Sequence, residues 1–236
     1  MKPVRAIVLM PTYNERGNLQ TVVEAVLKTG CADILVIDDN SPDGTGELAD
    51  TLANQHEQVF VMHRASKQGL GKAYVSGFHW ALARHYTHIL QMDADLSHPP
   101  ATIPKMLELA TEHDVVLGSR WVPGGGTENW STFRQWISKG GSFYARQLLG
   151  IPIRDVTGGF KCIKREVLEK VNLDKLQSAG YVFQIEVTYL AIQSGFSVYE
   201  TPITFSERQV GKSKMSTRIV LEAIVRVPQL RRGLRS

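Results

Sequence analysis

Cysteine is almost missing from this 236-residue chain, where Cys31 and Cys162 are the only two. A disulfide framework is thereby excluded, and a reducing compartment is the expectation. Long apolar runs are missing too: none reaches the roughly 18 residues of a membrane span. Met1-Lys-Pro-Val-Arg5 leads straight into a short apolar run without a signal-peptide pattern, so a cytosolic origin is expected. The seven histidines lack zinc-ligand spacing; His85 and His88 merely straddle a predicted helix end, and neither cysteine stands in a C-x-x-C. Gly69-Leu70-Gly71-Lys72 is not a P-loop, because the first glycine of that motif would fall at Ser66 and Ala73 replaces the required hydroxyl. No Gly-x-Gly-x-x-Gly follows the first apolar run, where Pro11-Thr-Tyr-Asn-Glu15 stands instead. P-loop NTPases and dinucleotide enzymes are both disfavoured. Internal repeats and low-complexity segments are absent.

What is present is ordinary globular material, 43% apolar and 21% charged, enough for one domain with an appendage. The net charge of +4 is unevenly placed. Phe205 to Ser236 carries eight Lys/Arg against two Asp/Glu, a surplus of six, so the first 204 residues sum to −2. A basic tail on a slightly acidic body points to an anionic partner: phosphate, lipid headgroup or nucleic acid.

Strand and helix signals alternate through the first half. Strands are expected over Val4–Met10, ended by Pro11, and over Ile34–Ile37, Val59–His63, Ile89–Met92 and Val115–Ser119. Helices are expected over Asn18–Thr29, about 45–54, about 71–85 and from near Pro100. This is the pattern of an α/β fold with a mostly parallel sheet covered on both faces, whose ligands sit at the carboxyl ends of the strands. Beyond Ser119 come a Gly-rich loop to Trp130, a helix over Ser131–Leu149, a strand or hairpin over Asp155–Ile163, a helix over Val182–Gln193 and a strand over Ser197–Phe205. Thr217 to Leu230 closes as an amphipathic helix, ended or kinked by Pro228. The division expected is residues 1–216 as the catalytic body and 217–236 as a basic amphipathic tail.

Two acidic turns carry the chemistry. Asp93-Ala94-Asp95 follows a buried strand directly, and two carboxylates at i and i+2 repel unless a cation lies between them. A solvated turn with a helix cap is the plainer alternative. Asp38-Asp39 ends another strand before strong turn residues, and a carboxylate there is placed to accept hydrogen bonds from a ribose or base. Capping is the competing role for Asp38 and Asp43, and less so for Asp39.

Taken in order, these segments resemble the family 2 glycosyltransferases of the GT-A fold. The matching pieces are Pro11-Thr-Tyr-Asn-Glu-Arg16, Ile37 to Thr45, Gly69 to Tyr74, Met92 to His98, Gly118-Ser-Arg120, Asp155 to Phe160, Gly180 to Gln184 and Arg208 to Lys214. The last two point to the polyprenol-phosphate (dolichol-phosphate) mannose synthase subgroup. The Q-x-x-R-W signature of processive synthases is absent. The resemblance implies that Pro11, Tyr13, Glu15, Ile37 and Asp39 hold the guanosine. It implies that Asp93, Ala94 and Asp95 hold the diphosphate and a divalent metal, Mg2+ or Mn2+, with Asp93 and Asp95 as ligands. Arg120, Arg208 and Lys214 would complete the donor and acceptor phosphate sites, with Arg134 and Ser138 on the acceptor side. Asp93, Asp95, Arg120 and Arg208 would be the catalytic set. Some relatives place a metal-binding Gln two residues after the second Asp, where this chain has Ser97.

The activity implied is inverting transfer of mannose from GDP-mannose to a polyprenyl or dolichyl monophosphate at the cytoplasmic face of a membrane. A membrane-anchoring protein is a further implied partner. A different donor such as UDP-glucose is the alternative within the class. A basic-tailed nucleic-acid-binding module is the alternative outside it, and leaves the acidic strand ends without a role. The aromatics and cation of Trp130 to Trp136, with the tail, are the segments suited to a membrane surface.

Overall fold

The computed structural model describes residues 4–173, 176, 180–206 and 226–231. β1 (Ala6–Thr12), β2 (Asp33–Asp38), β3 (Val59–His63) and β4 (His88–Gln91) alternate with α1 (Arg16–Leu27), α2 (Thr45–Gln55) and α3 (Leu70–Ala83). A 3-10 turn at Pro100–Thr102 and α4 (Ile103–Leu109) lead to β5 (Val115–Ser119). Then follow β6 (Gly126–Thr127), α5 (Thr132–Leu149), β7 (Lys161–Lys164), α6 (Arg165–Lys170), α7 (Gly180–Gln193), β8 (Val198–Pro202) and β9 (Thr204–Phe205). The seven-stranded sheet runs β3-β2-β1-β4-β7-β5-β8, and a two-stranded sheet pairs β6 with β9. All ladders are parallel except the two made by β7, which is wedged antiparallel between β4 and β5.

Strand alternation builds the two cores. Val8, Met10, Ile34 and Val36 face α1, whose Leu19, Val22, Val23 and Val26 complete that side. Ile7, Leu9, Leu35 and Ile37 face the other way, against Tyr74 and Phe78 of α3 and Phe183 of α7. Gly77 lets α3 approach the sheet: a Cβ there would lie 2.6 Å from Ile37 Cδ1. A third cluster joins α5 to α7 through Ala145, Leu149, Ile185 and Tyr189.

Several boundaries differ from expectation. Pro11 does not end β1; it pairs with Ile37 on the β2 side, while the β4 ladder has already stopped at Leu9. There the missing N–H costs nothing. The predicted strand or hairpin over Asp155–Ile163 is irregular until Lys161, because the Asp155 carboxylate turns inward. The Gly-rich loop contains β6, and Ser197–Phe205 is two strands, since the chain leaves β5 after Pro202 to pair with β6. Residues 226–231 are helical straight through Pro228, so the proline does not end the helix. Val227 is buried against the α5–α7 cluster. The rest of the predicted tail helix lies outside the described residues.

Candidate active site

The polar clusters gather at the carboxyl ends of β1, β2, β4 and β5. Asp39 is buried, receives a hydrogen bond from Arg64 Nη1, and is anchored by its backbone N–H donating to Thr12 O at 3.1 Å. Burial raises its carboxyl above the ordinary value, with Arg64 pulling the other way. Beside it Lys67 Nζ lies 3.8 Å from the centre of the Tyr13 ring. Asp38 and Asp43 serve the turn. Asp38 accepts from Ser41 N at 3.0 Å and Asp43 from Thr45 N at 3.0 Å. Burial pushes Asp43 up, but the bonds from Thr45 and Arg16 outweigh it and hold its carboxyl low. Glu15 begins α1 and accepts from Asn18 Nδ2 at 3.1 Å. Pro11, Tyr13, Glu15 and Asp39 thus border one edge. Ile37 differs: its side chain is fully buried beneath α3, so any contact with a nucleoside falls to its backbone.

Asp93 and Asp95 sit on the turn after β4. Asp95 is buried and accepts from Ser97 N at 3.1 Å and Ser97 Oγ at 2.5 Å, an arrangement made possible by Leu96 at φ 62°. Asp93 donates its backbone N–H to His98 Nδ1 at 3.0 Å, which leaves the ring proton on Nε2. His98 is buried, stacked on Phe160 with centroids 5.1 Å apart, and burial lowers its pKa. Ala94 is buried in the core. Among the described residues no cluster of three or more His, Cys, Asp or Glu side chains forms a cage. Asp93 at a pocket wall and Asp95, buried two residues further on, are hard oxygen donors of the kind that suits Mg2+ or Mn2+, which keep water and substrate phosphates in their other positions. Soft-metal sites built from Cys and His are not what these residues offer.

A pocket opens beside Asp93, lined also by His98, Arg120, Arg134, Thr157 and Gln184. Arg120 leaves β5 and is buried, its fork bound by Asp155 through Nε–Oδ2 at 2.7 Å and Nη2–Oδ1 at 2.6 Å. Nη2 also donates to Thr157 Oγ1 at 3.0 Å. Asp155 is fully buried and is held by its N–H donating to Glu200 Oε1 at 2.9 Å. Arg134, in the first turn of α5, lies 3.9 Å over the Trp130 ring. Ser138, one turn on, is buried on the same helix. Trp130, expected at a membrane, is instead buried and meets Phe205 edge-on. Arg208 and Lys214 lie outside the described residues.

Three participants escaped the sequence reading although each stands in a quoted segment: His98, Asp155 and Gln184. A fourth is Lys161 on β7, fully buried, whose Nζ donates to Gln184 O at 3.1 Å and Oε1 at 2.5 Å. Burial lowers its pKa to about 7, with Asp155 opposing. The available signal was a Lys between apolar residues in a β run, Phe160-Lys-Cys-Ile163.

Comparison with known proteins places this arrangement. A sequence profile described as "Glycosyl transferase family 2" matches residues 7–171. The chain is 49% identical over 229 residues to polyprenol monophosphomannose synthase of Mycolicibacterium smegmatis, covering 95% of this chain and 86% of that protein. It is 45% identical over 228 residues to undecaprenyl-phosphate mannosyltransferase of Micrococcus luteus, covering 95% and 93%. Among solved structures, a mannosyltransferase from Pyrobaculum calidifontis in complex with GDP-Man and Mn2+ superposes with TM-score 0.66 at 16% identity, over 100% of this chain and 66% of that one. S. aureus TarS 1-349 in complex with UDP-GlcNAc superposes with TM-score 0.66 at 17% identity, over 96% and 66%. The fold is the GT-A type, and the chain belongs to glycosyltransferase family 2.

Proposed function

We propose that this enzyme transfers mannose from GDP-mannose to a polyprenyl monophosphate, with inversion at the anomeric carbon. The observation that carries the reading is one pocket in which Asp93 faces Arg120 and Arg134. A nucleoside diphosphate leaving group and a phosphate acceptor bring several negative charges together, and arginine forks answer them. The two bacterial mannosyltransferases at 45–49% identity support the sugar and the lipid.

Asp93 and Asp95 would hold the divalent ion, and Tyr13, Asp39, Glu15 and Pro11 would border the guanosine. When bound, the ion supplies charge neutralisation for the departing diphosphate. Arg120, fixed in direction by Asp155, would meet the phosphates from the pocket wall. Arg134 and Ser138 orient the acceptor. The acceptor phosphate oxygen is already ionised near neutral pH, so no general base is required. His98, kept neutral by burial, is unsuited to carrying a charge there. Arg208 and Lys214 complete the phosphate contacts in this reading. The acceptor headgroup lies at a bilayer surface, so the enzyme would work peripherally, at the cytoplasmic face. Among the described residues no helix is long and apolar enough to cross a membrane.

The test is lipid product analysis after incubation with labelled GDP-mannose or UDP-glucose, a polyprenyl phosphate and Mg2+ or Mn2+. Labelled lipid from GDP-mannose alone, abolished by chelator, is expected. Transfer from UDP-glucose in preference would overturn the donor.

A further inference from the structure

Lys161 lies fully buried on β7, outside the residues that line the pocket. A buried ammonium is costly unless its hydrogen bonds replace the lost water. Its Nζ directs two of its three N–H groups to one residue, Gln184: to the backbone O at 3.1 Å and to Oε1 at 2.5 Å. An ammonium has no lone pair, so the amide atom that it meets must be the oxygen. The orientation of the Gln184 amide is thereby fixed, with Nε2 turned away from Lys161. Thr188 Oγ1 donates to the same backbone O at 3.0 Å, so the base of Gln184 is held as well as its tip.

Where that Nε2 leads decides what the pair is for. Gln184 is 2% exposed and lines the pocket beside Asp93 and His98. Among the described residues no acceptor binds its Nε2, so its N–H groups are offered to whatever fills the pocket. Buried polar groups are paired as a rule, and here the partner is a ligand. The wall around it is bare. A Cβ on Gly159 would lie 3.6 Å from Gln184 Nε2 and 3.5 Å from His98 Cε1, so both side chains border the same glycine. His98 carries its proton on Nε2 and is held neutral by burial. The pocket thus joins two neutral N–H donors to the Asp93 carboxylate, an acceptor. Phosphates are met by the guanidinium groups of Arg120 and Arg134. Hydroxyl groups, which both donate and accept, match neutral donors set beside an acceptor.

We infer that Gln184 binds a hydroxyl of the donor hexose through Nε2, and that Lys161 is the positioning residue that aims it. This deepens the proposed reaction and rests on it for the presence of a hexose. Without Lys161 the amide is free to turn over and present Oε1 to the pocket, exchanging donors for an acceptor. Lys161 therefore acts only through Gln184. The register of β7 sets Lys161 opposite Gln91, two residues before Asp93. The residue that aims the hexose contact thus stands on the same ladder as the strand that leads into the acidic turn.

Titration calorimetry of the full chain with Mn2+ and either GDP-mannose or GDP, without acceptor, reads hexose binding apart from turnover. Work at about pH 6 keeps Lys161 an ammonium, below its value of about 7. Gln184→Met should lower the ratio of GDP-mannose to GDP affinity about three- to tenfold, the range of one neutral hydrogen bond. Gln184→Glu retains acceptors for both Lys161 contacts but has no N–H, and should lower the same ratio with the fold kept. Lys161→Met should lower it as well, and should cost nothing further in the Gln184→Met background. A full additional loss in the double variant would overturn the relay. An unaltered ratio, or equal losses for GDP and GDP-mannose, would overturn the inference and leave the pair structural. So would a raised KM for polyprenyl phosphate with sugar-nucleotide affinity unchanged, because the amide would then serve the acceptor. If the wild type binds a UDP-hexose in preference, the donor reading fails, and the same ratio taken against UDP decides the role of Gln184.

Discussion

At the scale of single residues, the arrangement around Arg120 shows how a buried cation is held. Four donor–acceptor contacts tie it to Asp155 and Thr157, one of them from its own backbone N–H at 2.9 Å. Both partners are buried, so removing one strands the other. Asp155→Asn should destabilise the protein by about 3 kcal/mol or more in urea unfolding, as breaking buried pairs does. It should also lower turnover by releasing the Arg120 fork. A variant with unchanged stability would show the pair to be solvent-screened. Lys161 makes a second prediction. Its pKa falls from 10.5 to about 7 through burial. Between those values the unfolded chain binds a proton that the folded chain does not, so stability rises with pH across that window and is flat below it. Cys162, pushed by burial from 9.0 up to about 12, acts in the opposite sense above its ordinary value. Chemical unfolding from about pH 7 to 9 therefore isolates the lysine. The rise should vanish in Lys161→Met; an equal slope in both proteins would refute the assignment.

Elements differ in how openly the sequence announces them. β3 and β5 fall where expected, and α1 to α3 within two residues, because each joins an apolar run or stripe to a turn signal. α7 was legible mainly by length, since it is buried nearly all round and shows no polar face. β7 was blurred because its Lys161 is polar yet fully buried, a choice made by Gln184 from a distant helix. The same holds for the site. The acidic strand ends could be read locally, whereas the Arg120–Asp155 pair joins residues 35 apart and depends on tertiary folding. Fate of the aromatics in and before α5 was likewise set by packing: Trp130 went inward and Trp136 outward, six residues apart. Gly140 and Gly141 stand mid-helix with no atom within 4 Å of a built Cβ. Alanine at either should stabilise by about 0.5–1 kcal/mol, the ordinary helix gain. Gly125→Ala should do the reverse, because its Cβ would meet Ser119 O at 2.4 Å, displacing the loop from the backbone that carries Arg120. Thermal unfolding of the three variants tests the contrast in sign.

For the molecule as a whole, the design is a sheet whose carboxyl edge gathers charge of one sign near charge of the other. Asp39 follows β2 and Asp93 and Asp95 follow β4, and Asp93 shares its pocket with Arg120 and Arg134. Such an edge is completed by ligands that carry both a cation and phosphates, so donor and ion should bind together. GDP with Mn2+ at about 100 times its Kd should then add roughly 2.7 kcal/mol to folding stability. For a domain of this length that corresponds to a Tm rise of about 5–10 °C. GDP in chelator should give much less, since the diphosphate would face Asp93 and Asp95 unscreened. Asp93→Asn and Asp95→Asn should lose the metal-dependent part of the shift while keeping the ligand-free Tm near wild type, because Ser97 can still donate to an amide oxygen at position 95. Differential scanning fluorimetry reads this without any turnover, so it separates nucleotide and ion binding from acceptor recognition. An equal GDP shift with and without metal would remove the two carboxylates from the ion site and leave them as turn residues alone.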